Sequence, residues 1–133
     1  MSKTNQVRYN IGDIVFVNEY SYENNKKGKN HLFVVINNDN NVVPLEYFGL
    51  IVSSQINKSK YNSKLKYNEL LLADKINGLK VNSIVKCDQL YCIPKANIQF
   101  KIGNVDVDDF IRFINTYNEY LTKLKKEMIN AME

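Results

Sequence analysis

From Gly12 to Ile102 the apolar residues recur with a period of two, and from Val107 onward with alternating spacings of three and four. In "GDIVFVNEY" (Gly12–Tyr20), Ile14 and Phe16 alternate with Val15 and Val17, so both faces are apolar and a well-covered strand is predicted. "SYENNKKGKN" (Ser21–Asn30) is polar, carries a glycine and reads as a loop. "HLFVVIN" (His31–Asn37) is the second strand, and "NDNN" (Asn38–Asn41) a tight hairpin connection. The third strand is "VVPLEYFGLIVSS" (Val42–Ser54), where Pro44 and Gly49 imply the bent course of a small closed barrel. A second polar loop, "QINKSKYNSKLK" (Gln55–Lys66), leads to strands in "YNELLLA" (Tyr67–Ala73) and "SIVKCDQLYCI" (Ser83–Ile93), separated by a turn region around Gly78. A short strand at Asn97–Ile102 closes the sheet.

The change of period marks a helix. Val107, Phe110, Ile114, Tyr117, Leu121, Leu124 and Met128 form one stripe, widened by Ile111 and Ile129. Asp106 is the expected N-cap, Asp109 lies in the first turn where the helix dipole favours a carboxylate, and Lys123, Lys125 and Lys126 lie towards the other end. Three short heptads are expected to dock on the sheet rather than form a coiled coil. The fold class expected is mainly β with a C-terminal helix: one domain over residues 1–133, with a barrel at about 10–103 and a helix at about 106–130.

A chain of 133 residues can bury a real core but not two. No apolar run reaches the roughly 18 residues of a membrane span. "MSKTNQVRYN" lacks the apolar stretch of a secretory signal, so a cytoplasmic location is expected. The net charge of +4 is concentrated in loops, with Lys26, Lys27 and Lys29 in one and Lys58, Lys60, Lys64 and Lys66 in another. Such loops suit a polyanion, or are the ordinary decoration of a chain rich in Lys and Asn. Cys87 and Cys92 have a C-x4-C spacing that matches no common zinc pattern, and are read as reduced, buried thiols on opposite faces of a strand. No metal or other cofactor is expected.

The only histidine, His31, sits where a lysine-bearing stretch meets an apolar strand. It is either a strand-start residue hydrogen-bonded to backbone or a group at the lip of a site with a near-neutral pKa. Tyr20, Tyr22, Tyr47, Tyr61, Tyr67 and Tyr91 can stack unpaired bases, but most are expected to be half-buried covers.

In order and spacing, several words along the chain resemble the MazF/PemK-type toxins of bacterial toxin–antitoxin pairs. They are "GDIVFV" (Gly12–Val17), "HLFVVINND" (His31–Asp39), "IVSSQ" (Ile51–Gln55), "GLKVNSIVKCDQLYCIPKANI" (Gly78–Ile98) and "IGNVDVDDFIRFINTYNEYL" (Ile102–Leu121). The resemblance implies an SH3-like small β-barrel, a homodimer and a metal-independent endoribonuclease on single-stranded RNA, held in check by an antitoxin with which it binds DNA. In such enzymes the 2′-hydroxyl attacks its own phosphate. The family's arginine, usually followed by proline, falls at His31, followed here by Leu32; its threonine falls at Ser53, and a basic residue after Asp-Gln falls at Tyr91. His31 and Ser53 are therefore the candidate catalytic residues, and Lys27, Lys29, Ser54, Gln55, Gln89 and Tyr91 the candidate substrate contacts. Asp13 is read as ordering a turn, and Asp88 as equally suited to a structural role. With the arginine replaced, two alternatives stand: a barrel that binds RNA or protein without cleaving, and a structural interaction module working through its helix stripe.

Overall fold

The computed structural model describes residues 8–21, 27–54 and 67–133. Strands β1 (Asp13–Ser21), β2 (Lys27–Asn38), β3 (Glu46–Ser53), β4 (Asn68–Leu71), β5 (Ser83–Pro94) and β6 (Ile98–Asn104) precede a single helix, α1 (Val107–Met132). The strands form one antiparallel sheet in the order β4-β5-β3-β2-β1-β6. The architecture is the mainly β fold with a C-terminal helix that the periodicity implies.

The strands alternate between two cores. Ile14, Val34, Leu50, Val85 and Phe113 share one, and Val15, Val17, Phe33, Tyr47 and Ile93 share the other. The edge strands β4 and β6 make no ladder with each other, and the barrel-like form depends on the segment after β4. There the Asn104 N–H donates to Ile76 O at 3.1 Å. Added Cβ atoms at Gly78 and Gly103 would lie 2.2 Å from Ile102 O and 2.3 Å from Ile76 O. Backbone therefore meets backbone across the gap between the edges, at a separation that only glycine permits.

Three strand boundaries differ from the periodicity. The polar stretch Ser21–Asn30 is not all loop: β2 begins at Lys27 and pairs through Lys29↔Glu19 and Gly28↔Tyr20. Gly28 lies under the Tyr20 ring, where a Cβ would come within 2.2 Å of Cζ, so cross-strand packing extends a strand that its own residues do not favour. The hairpin at Asn38–Asn41 is longer than expected, and β3 starts at Glu46 rather than Val42. One carboxylate organises that connection, with Asp39 accepting from the N–H groups of Asn41, Leu45 and Glu46 at 3.0–3.1 Å. Those bonds hold the Asp39 pKa down, the Asn41 bond most. β4 is shorter than the apolar run Tyr67–Ala73, because the chain leaves the sheet at Leu72.

The Asp106 carboxylate caps α1, accepting from the Asp109 N–H at 2.8 Å. The helix docks on β4 and β5, as expected, but on a rotated face, and its buried positions lie in its first half. Phe113 and Thr116 are the buried positions, while Leu121, Leu124, Met128 and Ile129 of the anticipated stripe are exposed. A polar node sets the rotation. Arg112 donates to Glu69 Oε1, Leu70 O and Asp109 Oδ1 at 2.7–2.8 Å, and Thr116 Oγ1 donates to Glu69 Oε2 at 2.7 Å. Among the described residues no helix is long and apolar enough to cross a membrane.

Candidate active site

In the β2–β3 ladder Leu32 is opposite Val52. One step further along both antiparallel strands puts His31 beside Ser53, and such neighbours have Cβ atoms roughly 5 Å apart. His31 is flanked on its other side by Val17 of β1, and Ser53 by Ile84 of β5. Both residues, with Ser54, line a cavity of about 520 Å³. Two residues more than twenty positions apart in sequence thus share a site because a ladder aligns them.

His31 is half-buried, with its ring edge-on to Tyr20 at 6.0 Å and tilted against Phe33 at 6.2 Å. Its Nδ1 accepts from the Leu32 N–H at 3.2 Å. Burial lowers its pKa from the ordinary 6.5; backbone hydrogen bonds to Leu32 and Val52 oppose the shift, and the nearby Lys86 charge adds to it. At neutral pH the imidazole is therefore mostly uncharged. Both readings of His31 have a counterpart in the geometry: the ring is tied to backbone, and it faces a cavity.

The other candidates are dispersed. Tyr91 and Gln89 lie on β5, the Tyr91 hydroxyl donating to Gln89 Oε1 at 3.2 Å. Tyr91 packs edge-on against Tyr20 and Phe33 at 5.3 and 5.5 Å, which places it behind His31 and off the cavity wall. Lys29 is exposed on β2 opposite Glu19 and does not line the cavity, although its neighbour Asn30 does. For Lys27 only the backbone position, at the start of β2, is described. Gln55, Lys26 and the lysines from Lys58 to Lys66, with Tyr22 and Tyr61, lie outside the described residues. Asp13 orders its turn by accepting from the Asn10 N–H at 2.8 Å and pairs with Lys101 at 3.1 Å.

The cavity also contains residues that periodicity did not single out. Phe16 and Phe100 stack at 5.1 Å with 13° between their planes, Lys80 comes from the segment between β4 and β5, and Ser83 is the first residue of β5. Phe100 is 52% exposed, an apolar ring turned outward on an edge strand, which is the one local signal that would have flagged it. Lys80 sits in "NGLKVN", at the start of one of the family-like words, where no local pattern marks the lysine itself. Among the described residues no group of three or more His, Cys, Asp or Glu is placed to hold a metal ion. Of the thiols, Cys87 is buried as expected, but Cys92 is exposed. An odd separation sends them to opposite faces, and the outer face near the end of β5 has no cover.

Comparison with known proteins adds the family. Residues 10–117 match the model described as PemK-like, MazF-like toxin of type II toxin–antitoxin system. Among solved structures the fold is similar to Mycobacterium tuberculosis toxin MazF-mt6, with a TM-score of 0.58 and 14% identity over 83% of this chain and 96% of that one. It is also similar to a further Mtb toxin, with a TM-score of 0.53 and 14% identity over 77% of this chain and 98% of that one. No curated protein sequence matches. At such identities the structural likeness speaks for the fold alone, and the sequence match over most of the chain carries the assignment. The chain belongs to the PemK-like, MazF-like toxins of type II toxin–antitoxin systems.

Proposed function

We propose that the chain is an endoribonuclease that cleaves single-stranded RNA by 2′-hydroxyl attack without a metal ion. It acts as a cytoplasmic homodimer restrained by a cognate antitoxin, with which it also binds DNA. Family membership supports the class of activity. The observation that carries the site is that His31, Ser53 and Ser54 line one cavity together.

In the reaction the 2′-oxygen bonds to phosphorus and the bond from phosphorus to the 5′-oxygen breaks. The products are a 2′,3′-cyclic phosphate and a free 5′-hydroxyl. A base must take the 2′-hydroxyl proton, the 5′-oxygen must gain one, and donors must steady the added negative charge. His31, neutral at pH 7 because its pKa is lowered, is suited to the base, its substrate exchanging with the long Leu32 contact at Nδ1. Ser53 and Ser54 offer hydroxyls to the phosphate oxygens. The 5′-oxygen takes its proton from water, and the hydroxide so formed takes the proton that His31 accepted, which returns the imidazole to its neutral form. Lys27, Lys29, Gln55, Gln89 and Tyr91 are assigned to the flanking strand of RNA.

The loss of the guanidinium at position 31 supports a second reading, a barrel that holds RNA or protein without cutting it, since a neutral imidazole is a poor phosphate clamp. Incubating RNA with the protein in excess chelator separates the two. Discrete fragments ending in cyclic phosphate support the nuclease; retention without cleavage supports the binder. Cleavage that disappears with chelator and returns with magnesium would overturn the chemistry proposed here.

A further inference from the structure

A phosphate under attack gains negative charge, and the groups so far assigned to the cavity are neutral at pH 7. Among its described lining residues Lys80 is the only Lys, Arg, Asp or Glu. Of the cations close by, Lys101 on β6 pairs with Asp13 at 3.1 Å, and Lys86, whose charge reaches His31, lies off the cavity wall.

The backbone around Lys80 is fixed on both sides. Asn77, 1% exposed, donates through Nδ2 to Leu72 O at 2.8 Å and accepts at Oδ1 from the N–H groups of Asp74 and Leu79 at 3.1 and 3.0 Å. Gly78 then takes a left-handed φ of +72° against Ile102 O, and Leu79 inserts into the core. Beyond Lys80 and Val81, Ser83 is buried and its Oγ donates to Val81 O at 3.0 Å. An exposed lysine held on a pinned backbone costs less entropy to immobilise on a ligand than one on a free loop. Its ammonium gives three donors and a point charge, which suits a phosphate approached from one side.

We propose that Lys80 binds the scissile phosphate of RNA in this cavity and supplies the positive charge that the attack by the 2′-hydroxyl requires. This rests on the ribonuclease reading above. Lys80 then does the electrostatic work, and His31 moves the proton.

The test uses the full chain with Lys80→Gln, Lys80→Arg and, as a control on the same segment, Lys75→Gln, which is exposed and off the cavity wall. Cleavage is measured on RNA, and affinity against salt on a 2′-O-methyl strand that cannot be cut. Lys80→Gln should lower kcat by roughly 10²-fold or more, the usual effect of losing one donor to a developing oxyanion. The log–log salt slope should fall by about 0.7, one phosphate contact on a single strand. Lys80→Arg should keep most of both, and Lys75→Gln should change neither. If the parent cleaves and Lys80→Gln cleaves and binds like it, the inference is overturned and the ribonuclease reading stands. A parent that cuts no RNA overturns that reading and this inference together.

Discussion

Replacing His31 by Gln separates chemistry from packing, because Gln retains a hydrogen-bonding side chain at a half-buried strand position while losing the titrating ring. A positioned acid or base contributes about 10²–10⁴-fold, which at 1.36 kcal/mol per tenfold is about 3–5 kcal/mol of barrier. The pH profile carries the structural part. Burial, with a minor addition from Lys86, sets the native pKa below 6.5. The parent's rate should therefore rise with pH, bend below pH 6.5 and be level by pH 7, where even an unshifted imidazole is about three-quarters neutral. Stability gives an independent check of sign. Between the native pKa and the unfolded value near 6.5 the unfolded chain binds more protons, so stability present at pH 7 is lost as pH falls through that window. His31→Gln should lose both the rate and this slope in urea titrations. His31→Arg, which puts a fixed guanidinium in place of the titrating ring, should remove the bend in the rate whatever cleavage it retains. The assay is single-turnover cleavage of a short RNA from pH 5 to 8, beside urea midpoints at the same pH values. If both variants cleave like the parent throughout, His31 is only a strand residue held by backbone, and the base lies elsewhere.

Phe113→Ala empties a fully buried site between α1 and the sheet and should cost about 3–5 kcal/mol by urea unfolding, whereas Met128→Ala, at 61% exposure, should stay within about 0.5 kcal/mol. Equal effects would mean that the second half of the helix packs as tightly as the first. Gly78→Ala forces a side chain onto a φ of +72° and into Ile102 O, so it should cost at least roughly 1–2 kcal/mol and lower cleavage by moving Lys80; a neutral outcome in unfolding and rate would show that the closure between the sheet edges is not rigid. A thiol reagent at pH 8 should label Cys92 in the native protein and Cys87 only after unfolding, since burial pushes the Cys87 pKa to about 12. Equal labelling rates would contradict the packing of β5.

What periodicity and local chemistry determine is legible wherever the interaction is between near neighbours in the chain. The alternation in Gly12–Tyr20 foretells two faces because each residue of a strand points opposite to the last, and β1 does feed two cores. The Asp106 cap is equally local, a carboxylate reaching an N–H three residues on. Family words drew His31 and Ser53 out of the chain, but it is the ladder position beyond Leu32↔Val52 that sets them side by side. Other features depended on residues far away in sequence. Lys27–Asn30 is strand because Glu19–Ser21 pairs with it, and Phe113 faces inward because Glu69 anchors Arg112 and Thr116 on either side. Lys80 reaches the cavity because Gly78 and Gly103 let two backbones touch across the sheet's open edge. Periodicity records which face of an element is apolar; which partner that face meets, and what polar groups the meeting carries into a site, is fixed by pairings tens of residues apart.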